Sequence, residues 1–245
     1  MKTSIRQITL IVILTLCVSI GYADILFQDD FESGKIDAGK WTPQASWVIE
    51  NNDDKHDALG KKVLDVWGGG VGLSTDDLPE EFDYYADFKT MEGGLTGFVF
   101  HGKDGNNIYM HQVSTAGSGH TPQHIRWHRR VGGGWAVEPG AFEDKENRDQ
   151  NVWYRVKFEI RKNYKFKAYL GDVGAEDADL TLVSEWTDGQ KSFEKGKIGF
   201  RMSGGNRAGE HAQYDNIVVA TPGFDIFPVE PRDKLAATWG KLKLK

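Results

Sequence analysis

The chain has 245 residues, 39% of them hydrophobic and 27% charged, with 29 glycines, eight tryptophans and a single cysteine. Its net charge of -6 excludes a protein that grips nucleic acid through a broadly basic surface. The lone cysteine excludes a disulfide framework, and the length suits one all-β domain, a class that routinely passes ~200 residues around a single core.

The first 23 residues, "MKTSIRQITLIVILTLCVSIGYA", place Lys2 and Arg6 before an apolar run to Ile20, with the small residues Gly21 and Ala23 at its end. This pattern predicts a secretory signal peptide over 1–23, cleaved after Ala23, and hence a secreted protein, periplasmic or extracellular. The run is shorter than the roughly 20 residues of a membrane span, so the mature protein is expected to have none. Leu16 precedes Cys17 where a lipoprotein signal carries a small residue. Removal of 1–23 takes away Cys17, Lys2 and Arg6 and no acid, leaving 28 basic against 36 acidic residues, a charge of -8. Without a thiol, stability must come from a packed core.

From 24 to 220 the sequence reads as short alternating segments separated by Gly, Asn and Asp. Strands are predicted in "ILFQDDF", "SWVIENN", "KKVLDVW", "FDYYADFKT", "LTGFVFHG", "NNIYMHQVS", "HIRWHRRV", "LTLVSEWTD", "GKIGFRMSG" and "HAQYDNIVVA". The clearest passage is "VWYRVKFEIRKNYKFKAYLGD". Val152, Tyr154, Val156, Phe158 and Ile160 share one face, Trp153, Arg155, Lys157, Glu159 and Arg161 the other, and Lys162-Asn163 turns the chain into a second strand. Period-2 alternation of this kind marks a half-buried antiparallel hairpin. A dozen such strands with regular turn signals predict a β-sandwich.

Residues 221–245 change character. Three prolines and a basic end predict an extended linker and a tail, with Leu235, Trp239 and Leu242 on one side of a short helix. The tail either frays or caps the domain, or it contacts a partner or a surface.

In "HIRWHRRV", alternation puts Ile125, Trp127, Arg129 and Val131 on one face and His124, Arg126, His128 and Arg130 on the other. The first set is expected in the core, so the His/Arg row points outward. On a strand, His124 and His128 stand about 13 Å apart, too far to share a metal ion; the four-residue spacing serves metals on helices. The neighbouring strands add His101, His111 and Gln112, and "GGGWAVEP" adds Trp135. Arginine and histidine donate to sugar hydroxyls or carboxylates, and an exposed aromatic ring stacks on a sugar. The row is therefore either a carbohydrate-binding groove or simply a solvated face.

Three passages, "LFQDDFESGKIDAGKW", "VWYRVKFEIRKNYKFKAYLGD" and "GKIGFRMSGGNRAGEHAQYDNIVVA", together resemble the concanavalin A-like lectin/glucanase superfamily, in particular the secreted laminin-G-like and family-16-like domains of bacteria. The likeness covers 25–220. It implies an all-β, antiparallel jelly-roll sandwich whose last strand closes beside the first. It also implies a structural calcium, with Asp215 as a ligand and Asp30 and the carbonyls of the "ALGKKV" turn as partners; calcium takes six to eight oxygens. The alternative is that Asp215 and Asn216 cap a turn.

The glucan-cleaving branch of that superfamily needs two glutamates projecting from one strand, as E-x-D-x-E, with carboxyls about 5–5.5 Å apart. "PEEFDYYAD", "FEDKENRD" and "GAEDAD" all fail that spacing. The expected function is a secreted, lectin-like, non-catalytic protein that binds a polysaccharide on an outer concave face. Two alternatives stay open. One is a glycan-active enzyme on the same fold: "YMHQV" and "NYKFKAYLGD" echo a polysaccharide lyase faintly, and the layout is shared with 3-keto-disaccharide hydrolases, whose Gly-Trp opening is missing. The other is a structural or adhesive surface protein.

Overall fold

The computed structural model describes residues 24–119, 123–143, 148–203 and 209–224, apart from the side chains of 124 and 139–143. The expected signal peptide and all but the start of the expected tail lie outside that part. Among the described residues there are fifteen strands: β1 (Ile25–Asp29), β2 (Trp41–Thr42), β3 (Trp47–Asn51), β4 (Lys62–Trp67), β5 (Gly70–Ser74), β6 (Phe82–Thr90), β7 (Leu95–Asp104), β8 (Asn107–Ser114), β9 (His124–Val131), β10 (Gly134–Glu143), β11 (Trp153–Ile160), β12 (Lys165–Asp172), β13 (Thr181–Thr187), β14 (Lys197–Met202) and β15 (His211–Ala220).

They build two antiparallel sheets packed face to face. One runs β13-β12-β11-β6-β15-β4-β3, with β1 also paired to β15; the other runs β10-β9-β8-β7-β14-β5-β2. This is the expected jelly-roll sandwich, closed by β1 against β15 with Ile25 opposite Ala220 and Asp29 opposite Ile217. The predicted hairpin is present, Ile160 pairing with Phe166. The meander β7-β8-β9 continues into β10.

Alternation supplies the core. Phe88, Phe158, Phe166 and Tyr214 from one sheet meet Phe98, Phe100, Tyr109, Trp127 and Phe200 from the other, all fully buried. Their rings interlock, as in Phe98 against Phe158 at 5.3 Å and Tyr214 stacked on Phe200 at 3.8 Å. Such pairs contribute beyond their buried area.

Three strands escape the alternation signal: β2, β5 and β10. "WGGGVGLS" reads as loop because glycine has low strand propensity, yet β5 pairs with β14 along Gly70–Leu73. At Gly72 a Cβ would run into the Trp47 ring, so the glycine serves close approach, not a turn. In β10, Pro139 and Gly140 coincide with the register break between Val137 and Ala141, where a proline is tolerated.

Candidate functional site

β9 resolves the His/Arg row. Ile125 and Trp127 are fully buried in the core, while Arg126, His128 and Arg130 stand half-buried on the outer face of the seven-stranded sheet. Arg129, expected beside Trp127, instead reaches the sandwich rim, where it pairs with Glu138 at 2.5 Å and donates to Ser192 at 3.1 Å. Val131 is 50% exposed beyond the sheet end. The side chain of His124 and the whole of His120 lie outside the described residues.

Directly opposite residues share a face. Register sets Gln112 against Arg126, Met110 against His128 and Ile108 against Arg130 on β8, and Trp135 against Arg130 on β10. Continuing across the sheet, Gly97 and Val99 on β7, Gly199 and Arg201 on β14, and Val71 and Leu73 on β5 complete the face. Val71, Leu73, Val99, Ile108 and Met110 form a buried apolar cluster separate from the main core. This is an apolar floor ringed by polar side chains.

Trp135 stands at the centre of the ring. The Arg130 guanidinium lies 4.9 Å from its ring centroid, that of Arg201 lies 5.1 Å away, and the His128 imidazole meets it edge-on at 5.5 Å. β10 and β14 are four strand spacings apart, about 19 Å across a flat sheet. For Trp135 and Arg201 to touch, the face must curl inward, so it is concave, and the two side chains arch over the floor. Arg130 is fixed by donating from Nε to the Gly133 carbonyl (3.2 Å) and from Nη1 to that of Gly105 (2.5 Å). His128 Nε2 lies 3.4 Å from Gln112 Oε1. Arg126 Nε is buried without a hydrogen-bond partner among the described residues.

Electrostatically the face is cationic. Burial lowers the Arg201 pKa, opposed by the Glu210 charge and aided to a smaller extent by that of Arg130. Glu210 Oε2 is 3.9 Å from Arg201 Nη1 and accepts the Ser203 N–H at 2.6 Å. Burial raises the Glu210 pKa. Arg201 was not among the sequence candidates, yet its signal was present: Ile198, Phe200 and Met202 alternate into the core, which turns Arg201 outward.

Two candidates are placed elsewhere. His111 points into the core, edge-on to Trp127 at 4.4 Å and to Phe158 at 5.0 Å, with Nε2 3.1 Å from Ser184 Oγ across the sandwich. Neighbours in a strand face opposite ways, so with Gln112 outward His111 must be inward. His101 adopts a left-handed backbone, φ 46°, where the β7–β8 register breaks. It turns into the core and hydrogen-bonds the Phe193 carbonyl through Nδ1 at 3.2 Å. At 1% and 0% exposure neither histidine can touch a ligand on this face. Burial depresses their pKa values to about 4 for His101 and about 3 for His111, which keeps both neutral.

The calcium arrangement implied by the resemblance was tested on donor orientation. Asp215 Oδ2 accepts the Gly60 N–H (2.8 Å) and Oδ1 the Asn216 N–H (2.7 Å). The turn carbonyls are engaged as well, Ala58 O by Asn216 Nδ2 (2.7 Å) and Gly60 O by Asn52 Nδ2 (2.9 Å). Asp30 Oδ1 instead accepts the N–H of Glu32 at 3.2 Å. Among the described residues no three His, Cys, Asp or Glu side chains gather to hold an ion. The set does not fit calcium, which needs oxygens converging on one point; the amides fit turn capping. Burial, opposed by these two N–H groups, pushes the Asp215 pKa up to about 7.

A cleft of about 270 Å³ lies along the β1–β15 seam, lined by Gln28, Asp29, Asp30, Lys40 and Asn216 to Val218. Its cation, Lys40, is already bound to the Gln28 carbonyl at 2.9 Å and lies 3.7 Å from Asp29, so it offers less than the concave face.

No family model and no curated protein matches the chain. Solved structures do share its fold. The carbohydrate-binding module CBM66 from Bacillus subtilis superposes with TM-score 0.51 at 18% identity, over 73% of this chain and 97% of that one. The GH43 protein BlXynB from Bacillus licheniformis gives 0.53 at 13% identity, over 79% of this chain but 39% of that longer one. The binding domain of Paraclostridial Mosquitocidal Protein 1 gives 0.53 at 10%, over 82% and 49%. At such identities the likeness establishes the two-sheet jelly-roll sandwich alone, and function must be argued from the site.

Proposed function

We propose that this protein binds a carbohydrate on the concave face of its seven-stranded sheet and does not cleave it. One observation carries the reading: Arg130, Arg201 and His128 gather around Trp135 above an apolar floor. Trp135, 40% exposed and beside a few convergent donors, suits a sugar, which is apolar on its ring faces and polar at its edges. The likeness to a solved carbohydrate-binding module supports it. The described outward positions on β5, β7, β8, β9 and β14 named above include no carboxylate, which favours binding over hydrolysis by paired acids. Export through residues 1–23 belongs to the proposal, as an expectation from sequence.

A glycan panel followed by a product assay tests it. The expected result is binding to at least one polysaccharide without new reducing ends or unsaturated products, lost in Arg126→Ala/His128→Ala. Turnover of the bound glycan would overturn the non-catalytic reading, and retained binding in the double variant would remove the site from this face.

A further inference from the structure

We infer that the ligand of the concave face is an acidic glycan, with a carboxylate or sulfate group received by the guanidiniums of Arg130 and Arg201 beside Trp135. This rests on the carbohydrate reading and narrows it to a chemical class.

The argument begins with the charge balance. The whole chain is net acidic, at -6, yet Arg126, Arg130 and Arg201 meet on one concave face. Among the described residues the only carboxylate within ion-pair distance of these three is Glu210, 3.9 Å from Arg201, and Glu210 is partly committed to the Ser203 amide. Two guanidiniums within about 5 Å of one indole centroid repel each other across a partly desolvated site. The ring's negative face offsets part of that repulsion. An anion between them removes it. The apolar floor lowers the local dielectric, so each interaction there counts for more than on open surface.

Geometry then selects the anion. Arg130 directs Nε and one Nη1 hydrogen to two carbonyls, which fixes its orientation and leaves the second Nη1 hydrogen and both on Nη2 to donate. The Arg201 side chain makes no hydrogen bond among the described residues, and Glu210 lies 3.9 Å away as an ion pair. Arg126 is two residues along β9 from His128 and four from Arg130, so it meets a second unit of an extended chain, about 13 Å away. A polymer bearing an anionic group at regular intervals fits this spacing, whereas a neutral sugar can accept hydrogen bonds from these guanidiniums but does not balance their charge. With Trp135 flanked by two cations and an imidazole, the indole positions guanidiniums in addition to any stacking it offers a sugar.

The experiment titrates the full mature chain with three probes: polygalacturonate for carboxylate, a carrageenan for sulfate, and dextran as a neutral control. Each is run at about 0.01 M and about 1 M NaCl, where the screening length falls from about 30 Å to about 3 Å. The expected result is binding to polygalacturonate or the carrageenan, weakened at least tenfold by salt, with dextran unbound. Arg201→Gln should weaken that binding roughly tenfold or more, as loss of a charge-assisted hydrogen bond implies. Arg126→Gln serves as the companion variant should Arg201→Gln fail to fold. The preferred acidic probe identifies the group. Salt-insensitive binding to dextran overturns the acidic assignment and leaves the carbohydrate reading standing. Failure of all three probes, together with a blank glycan panel, overturns both.

Discussion

The outer faces of the two sheets carry the same kinds of residue and use them in opposite ways. On the eight-stranded sheet the cations are paired. Arg155 holds Asp87 through two 2.7 Å hydrogen bonds, and Arg161 meets Asp83 at 2.7 Å. Lys157 meets Asp177 at 2.5 Å and Lys89 meets Asp54 at 2.6 Å. Residues 52–61 fold over part of this face, with Asp54 accepting from Trp153 Nε1 at 2.7 Å, so Trp153 and Arg155 are buried although their strand positions point outward. On the seven-stranded sheet Arg126 faces Gln112, His128 faces Met110 and Arg130 faces Ile108. The difference is register: β6 sets Asp87 directly across from Arg155, whereas β8 offers no acid. One face pairs its charges within the fold; on the other, among the described residues, Arg126 and Arg130 have no carboxylate within ion-pair distance and Arg201 has Glu210 at 3.9 Å.

The sharpest way to break this contrast is to unpair the first face. Arg155→Ala leaves the fully buried Asp87 carboxyl with Asn216 Nδ2, at 2.9 Å, as its remaining side-chain partner among the described residues. A loss of about 3–5 kcal/mol is expected in urea unfolding. Replacing both partners by apolar residues should recover most of it, since the desolvation penalty goes with them. Trp127→Ala should cost a similar amount, roughly 3–5 kcal/mol, because the ring is fully buried among Phe100, His111 and Phe166. By contrast Arg126→Ala and His128→Ala, its chain neighbours, should each change stability by about 0.5 kcal/mol. If all three cost the same, the assignment of faces is wrong.

The histidines extend the comparison to pH. His101 and His111 are held neutral, their pKa values depressed by burial to about 4 and about 3. In the unfolded chain they protonate near the ordinary value of about 6.5. The stability tied to their neutrality is therefore full above about pH 6.5 and is lost as pH falls toward those folded values. His211 is the opposite case. It lies flat on Trp67 at 3.7 Å, with Nδ1 2.6 Å from Glu92 and Nε2 2.7 Å from Asp65. Burial alone would lower its pKa, but these hydrogen bonds and charges outweigh it, and the net shift is upward. Its contribution is full below about pH 6.5 and disappears as pH rises through the raised value. Unfolding measured between pH 4 and 9 should show a falling limb on each side. His111→Gln should flatten the acidic one, and His211→Gln the alkaline one. An acidic limb unchanged in His111→Gln would show that carboxylates, not this ring, set it.

The smallest effect expected is that of a chelator. With Asp215 occupied by the Gly60 and Asn216 amides, EDTA should leave the melting temperature unchanged. A drop that Asp215→Ala abolishes would mean that an ion stabilises the native state by mass action and that the amides rearrange around it.

Much of this molecule follows from local alternation. Two-residue periodicity fixed the sandwich, the hairpin of β11 and β12, the burial of Trp127 and the outward turn of Arg126, His128 and Arg130, because a strand has two faces and an apolar majority chooses the inner one. The same rule, applied to "KIGFRM", carries Arg201 to the outer face. What periodicity could not supply was whatever depends on a distant partner. β5 exists because Gly72 lets Trp47 come close, and His101 turns inward where a left-handed residue breaks the alternation. Arg155 meets Asp87 at 2.7 Å and Arg201 meets Glu210 at the longer 3.9 Å because of segments placed by the tertiary fold. Side-chain direction is local, whereas the group a side chain meets is set by register and by curvature across the sheet. Only the tertiary structure therefore decided which charges are paired within the fold and which are not.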